Sequence, residues 1–206
     1  MDWIMLGGPV MAPLLVASLV AVAVIVERFR FYHAIQTQRK TFLDELYDAL
    51  DVHETKAAEE LCRRHPGPLA SLAMAAIAAS DREREDLKEV MAEAGERELP
   101  ALEARLGLLA TIAHVSPMLG LLGTVLGIVI SFQQFQQVAK AGGQPGPELM
   151  AGGIWQALIT TVAGLTIGIV SQIAHNWLFT LKERLVRDME DASFELLEIV
   201  ADKRRR

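Results

Sequence analysis

Among the polar side chains of otherwise apolar sequence stand Thr124, Thr160, Thr161 and Gln156. They lie in two uncharged stretches. Between Arg105 and Lys140 stand 34 residues with no Asp, Glu, Lys or Arg, and between Glu148 and Lys182 stand 33. A hydroxyl both donates and accepts hydrogen bonds, so it can order a water chain or hold a carboxyl group. It cannot carry a proton at neutral pH, and neither can an amide. Proton relays inside membranes normally use Asp, Glu or His, yet neither stretch holds an acid. A membrane threonine also has a plainer use, returning its hydroxyl to a carbonyl of its own helix. Composition alone leaves both uses open.

The elements that position these residues follow from length. A bilayer core takes about 20 apolar residues as helix, and lipid-exposed backbone must satisfy its own polar groups. Each stretch is therefore a membrane helix, the two joined by a short polar loop. Small residues mark their contact stripes: Gly120, Gly123 and Gly127 on the first, Gly164 and Gly168 on the second. In lipid such residues let backbones approach closely. Thr161, Gly164, Gly168, Ser171 and Gln172 fall on one face of a helix. Pro117 bends the first stretch near its start.

A third uncharged stretch covers residues 3–26. It lacks the basic leader of a signal peptide, so it reads as a first membrane helix. Lys and Arg number none in residues 1–8, 12 in 27–105, one in 139–149 and seven in 177–206. By the positive-inside rule the N-terminus is periplasmic and the C-terminus cytoplasmic. The expected order is 1–26 periplasmic N-terminus and first span, 27–105 cytoplasmic helical region and 106–139 second span with an extension. A periplasmic loop at 140–148, a third span at 149–181 and a cytoplasmic helix at 182–206 complete it. Trp155 and Trp177 suit the two membrane interfaces, and His114 and His175 sit near the cytoplasmic ends of their spans.

Residues 27–105 read as helical. Apolar residues recur at helical spacing through Phe42, Leu46 and Leu50, then Ala58 and Cys62, then Leu69, Leu72, Ala73, Ala76 and Ile77. His65-Pro66-Gly67-Pro68 breaks the pattern. Ser80 to Glu83 has capping-box spacing and predicts a helix start there. Pro100 predicts a kink in a helix that runs straight on into the second span. The region is then a stalk continuous with the membrane bundle; a small separate helical domain is the alternative. The tail carries an apolar stripe of Leu181, Leu185, Met189, Phe194, Leu197 and Val200, predicting an amphipathic helix, and ends in a basic Lys203-Arg206 run suited to anionic headgroups. The fold class is all-α: three membrane helices with a helical cytoplasmic stalk.

Much is excluded. The single Cys62 allows no internal disulfide, and no metal, nucleotide or hydrolase motif occurs, so no cofactor, metal or enzymatic activity is expected. With basic residues outside the spans, nothing supports nucleic-acid binding.

Ala113–Phe132, AHVSPMLGLLGTVLGIVISF, and Gly153–Asn176, GIWQALITTVAGLTIGIVSQIAHN, resemble the two signature helices of the MotA/TolQ/ExbB proton channel family. Three spans in 206 residues resemble its ExbB and TolQ branch. The resemblance implies an inner-membrane stator subunit that couples proton flow to force on an envelope load. It implies a homopentamer around a single-span, ExbD-like or TolR-like partner that supplies a membrane Asp, with a TonB-like, TolA-like or motility effector as the load. Thr124 and Thr161 match the hydroxyls lining the family's interior, and Thr160 and Gln156 lie beside them. One departure matters: where ExbB and TolQ commonly carry Glu, five residues before the matching Thr, this chain has Gln156. A proton-binding role cannot be transferred to it. A non-conducting scaffold for the same kind of partner is the alternative.

Overall fold

The computed structural model describes residues 8–51, 55–144 and 146–203. Six α-helices account for nearly all of them: α1 Met11–Asp51, α2 Thr55–Arg64, α3 Pro68–Ala78, α4 Arg84–Glu103, α5 Leu106–Lys140 and α6 Pro147–Lys203. No strand occurs among the described residues. Stretches of α1, α5 and α6 are long and apolar enough to cross a membrane, so the all-α, three-span reading holds. The outermost N-terminal residues and the last three arginines lie outside the described residues, and with them most of the basic end expected at headgroups.

The chain forms two compact units. The first takes the described residues up to Glu27 together with Arg105–Trp177. Here α5 and α6 run antiparallel, pairing Pro117 with Gly168, Gly120 with Gly164, Gly123 with Thr160 and Gly127 with Ala157. The start of α1 closes this pair on one side, where Val10, Met11 and Leu14 pack on Leu119, Ala163 and Ile167. Many other apolar side chains of the three helices point outward, Leu19, Leu121, Val162 and Ile173 among them. An outward apolar surface of this kind is stable in lipid or against further subunits. At the edge of the unit Arg105 pairs with Glu27 at 2.6 Å.

The second unit takes Arg28–Ala104 and the described residues from Leu178 onward. The His65–Pro68 break separates α2 from α3, with Gly67 ahead of the helix and Pro68 in its first turn, where a missing N–H costs nothing. The expected stripe of α3 is buried throughout. Ser71 donates to Glu98 at 2.6 Å and ties α3 to α4.

Three expectations need correction. The capping box at Ser80–Glu83 does not form: α4 starts at Arg84, and no side chain caps it. The amides of Ser80 and Arg82 bond back to Ile77 and Ala79 in the turn that ends α3, which holds Ser80 away from the next helix. The helix passes through Pro100, as expected, but does not run straight on into the second span. It continues to Glu103 and breaks at Arg105, which adopts a left-handed conformation with φ 65°. A helix end leaves its last carbonyls without partners. Arg28 donates to the Ala101 carbonyl at 3.0 Å and the Tyr32 hydroxyl to that of Leu102 at 2.6 Å. Lys182 reaches Glu103 at 3.2 Å and Glu183 at 2.6 Å. Cations suit a helix C-terminus, so the break is held by its neighbours. Thirdly, Phe194 does not join the buried stripe of the tail. It is 61% exposed, while Ala192 and Leu196 are buried with Leu185, Met189, Leu197 and Val200; a uniform 3.6-residue period carries position 194 round to the outer face.

Candidate functional site

The site is the seam between α5 and α6, made of positions where a side chain would not fit. A Cβ on Gly120 would lie 3.0 Å from the Thr160 carbonyl and 3.1 Å from Cα of Thr161. On Gly127 it would stand 2.9 Å from Cβ of Ala157, and on Gly168 2.5 Å from the Pro117 ring. Backbone therefore meets backbone, as small residues permit in lipid. Gly120, Gly123, Gly127 and Gly164 are all buried here, and so are Ser116 and Ser131.

Into this seam come two of the four polar side chains. Thr160 is 1% exposed and faces Gly123, where a Cβ would lie 2.7 Å from its hydroxyl. That hydroxyl donates within its own helix, to Ala157 at 2.8 Å. Thr161 does otherwise: its hydroxyl crosses the seam and donates to the Gly120 carbonyl at 3.0 Å. The plainer use of a membrane threonine thus holds for Thr160 and not for Thr161. Thr124 stands half-buried on the flank of α5 and donates to Leu121 at 2.6 Å. No described bond joins it to Thr161.

Gln156 is half-buried one turn before Thr160. Gly8 covers it from the N-terminal side, with φ +68° and a Cβ position 2.5 Å from the amide nitrogen. Only glycine accepts both that conformation and that approach. The histidines and the side-chain amides near His175 lie away from the seam. His114 is exposed, with Nδ1 3.3 Å from the Ala110 carbonyl, and Gln172 donates to Asn176 at 2.9 Å beside His175. Trp155 and Trp177 point outward. Among the described residues no three His, Cys, Asp or Glu side chains gather as a metal site.

Sequence reasoning overlooked two sets of residues. Ser116 and Ser131 are buried on the glycine face of α5 at helical spacing from Gly120 and Gly127, so the same period that marked the glycines includes them. Arg28, Tyr32 and Lys182 meet the end of α4 through contacts 70 or more residues apart in sequence, and no local pattern signals that.

The family described as the MotA/TolQ/ExbB proton channel family matches residues 57–191. The chain is 33% identical over 176 residues to a putative biopolymer transport protein, ExbB-like 3, of Synechocystis, covering 84% of this chain and 81% of that one. It is 32% identical over 174 residues to the Tol-Pal system protein TolQ of Haemophilus influenzae, covering 77% and 73%. With TolQ of Pseudomonas aeruginosa it shares 39% over 106 residues, 52% of this chain and 44% of that one.

Proposed function

Because this chain belongs to the MotA/TolQ/ExbB proton channel family, we propose that it is the channel-forming stator subunit of a motor driven by proton-motive force. It is a multi-pass inner-membrane protein of an energy-transducing family. Its N-terminus is periplasmic and its C-terminus cytoplasmic, the orientation that the distribution of Lys and Arg favours. Copies of the chain form a pentamer around a single-span, ExbD-like or TolR-like subunit. That subunit contributes the carboxylate these spans lack, and the load is an envelope or motility effector.

The observation that carries this reading is the Thr161 hydroxyl reaching across the seam to the Gly120 carbonyl. It puts a polar, exchangeable group between two tightly packed membrane helices, where it links them and also supports a hydroxyl-lined path. Thr124 and Thr160 extend the hydroxyl series, and Gln156 orders water without taking a proton. The membrane potential supplies about 2.3 kcal/mol per charge per 100 mV, so a sizeable mechanical step couples several protons.

The test is proton flux into liposomes carrying the complex with its single-span partner. Thr161→Val keeps volume and removes the hydroxyl; flux should fall while complex yield stays level, and Thr124→Val should act likewise but less. Full flux in the double variant refutes the hydroxyl-lined path. Gln156 favours one other reading, a non-conducting scaffold. A wild-type complex that assembles fully and passes no protons would establish it.

A further inference from the structure

The hydroxyls of the α5–α6 hairpin differ in what they have done with their protons. Thr111, Thr124, Ser131, Thr160, Thr161 and Thr166 each donate to a backbone carbonyl. Ser116 does not. It is 1% exposed, and its hydroxyl has no hydrogen-bond partner among the described residues. A buried hydroxyl left unpaired is costly, and most buried polar groups are therefore paired. Alanine would fill the same space without that cost.

Its place in the seam gives it a use. Ser116 and Gly120 stand one turn apart on the same face of α5, and the Gly120 carbonyl is the one that receives the Thr161 hydroxyl. Opposite Ser116 lies Gly164, where a Cβ would fall 2.5 Å from the Ser116 carbonyl. One residue on is Pro117, which has no N–H to return to the carbonyl of Ala113. That carbonyl faces Gly168, whose Cβ position is 3.1 Å away. The Thr161 hydroxyl reaches across from α6 to the Gly120 carbonyl, and the Ser116 hydroxyl and Ala113 carbonyl come next in register along the same face of α5. In such a series a hydroxyl already bonded to a carbonyl must break that bond before it can donate elsewhere. Ser116 need not.

We infer that Ser116 is a further hydroxyl of the proton path: it takes water or hydronium between the Thr161–Gly120 link and the Ala113 carbonyl. It donates to the oxygen of a water, or accepts from an O–H of a hydronium, and holds no net proton itself. The inference rests on the hydroxyl-lined path proposed above.

Two variants in the complex with its single-span partner test it. In Ser116→Ala the packing is kept and the unpaired donor removed. Proton flux should fall by about two- to tenfold, the effect of losing one hydrogen bond, while the melting temperature holds or rises. Ser116→Cys, made with Cys62→Ala, keeps a weak donor of similar size; it should retain more flux than Ser116→Ala and lose it on addition of silver ion, which reaches thiols only through water. Full flux in Ser116→Ala, or flux and melting temperature falling together, overturns the inference, as does a Ser116→Cys complex indifferent to silver. Thr161→Val separates the two levels. If it lowers flux and Ser116→Ala does not, only the role of Ser116 fails. If neither variant lowers flux, or the wild type passes no protons, the path fails with it.

Discussion

Replacing Gly164 by alanine adds one carbon where the seam brings backbone atoms closest. That carbon would lie 2.5 Å from the Ser116 carbonyl oxygen, 2.9 Å from Cα of Gly120 and 3.0 Å from its nitrogen. All three are backbone atoms, so no side chain can swing aside. Non-bonded carbons settle at about 3.5–4.0 Å, and the helices must part by something near 1 Å. Overpacking of this sort costs about 1–3 kcal/mol. The parting also stretches the Thr161–Gly120 hydrogen bond beyond its present 3.0 Å, worth a further net loss of about 0.5–1.5 kcal/mol. Alanine returns about 0.5–1 kcal/mol as the better helix former. The balance is a destabilisation of roughly 1–3 kcal/mol. Gly107 and Gly152 are the comparators, since a Cβ on either meets nothing within 4 Å. Gly107→Ala and Gly152→Ala should be neutral or gain the helix term. Thermal unfolding of the detergent-solubilised complex, followed by size-exclusion fluorescence, reads all three side by side. If Gly164→Ala melts with or above the comparators, the close approach of the two backbones is not what holds this hairpin together.

Tyr32→Phe leaves the Leu102 carbonyl without its 2.6 Å donor in a buried place and should cost about 1–3 kcal/mol, measured as a lower melting temperature with oligomer size unchanged. Cys62, pushed up to about 11 by burial, should resist iodoacetamide at pH 8 in the folded protein and react once it is unfolded. The sign for stability follows. Above its ordinary value of 9.0 the unfolded thiol ionises while the folded one stays neutral, so stability drops as pH rises from there through about 11. Cys62→Ala should flatten that part of the urea-midpoint profile. Gln144→Cys should be labelled by an impermeant thiol reagent from the periplasm and Arg82→Cys should not; labelling of Arg82→Cys in intact cells reverses the proposed orientation.

The spans were legible because charge is excluded from them and small residues recur at helical spacing; both are local properties of the chain. The buried faces of α3 and of most of the tail were legible for the same reason. What failed was local as well. Ser80–Glu83 has the letters of a capping box, but the preceding turn needs the same residues. Pro100 is the residue type that breaks helices, yet the break falls at Arg105, where long-range partners hold the last carbonyls of α4. Of the candidate site, the type and spacing of Thr160 and Thr161 were visible in the sequence. That one hydroxyl crosses to the other helix while its neighbour stays at home depends on the rotational setting of α6 against α5, which no single-chain pattern contains.

The bonds made by Thr124, Thr160 and Thr161 decide what these side chains have left to offer. Each has handed its hydrogen to a carbonyl; Thr160 is buried, so Thr124 and Thr161 are the two with oxygen lone pairs left to present. Such a surface is electronegative without being charged. On the proposed proton path such a surface would favour hydronium over chloride, hydroxide and ionised acids. A carboxyl group brought against it is held in its protonated form, as a donor, and loses that hold when it ionises. Polarity of this kind favours loading an acid with a proton on the seam and releasing that proton away from it.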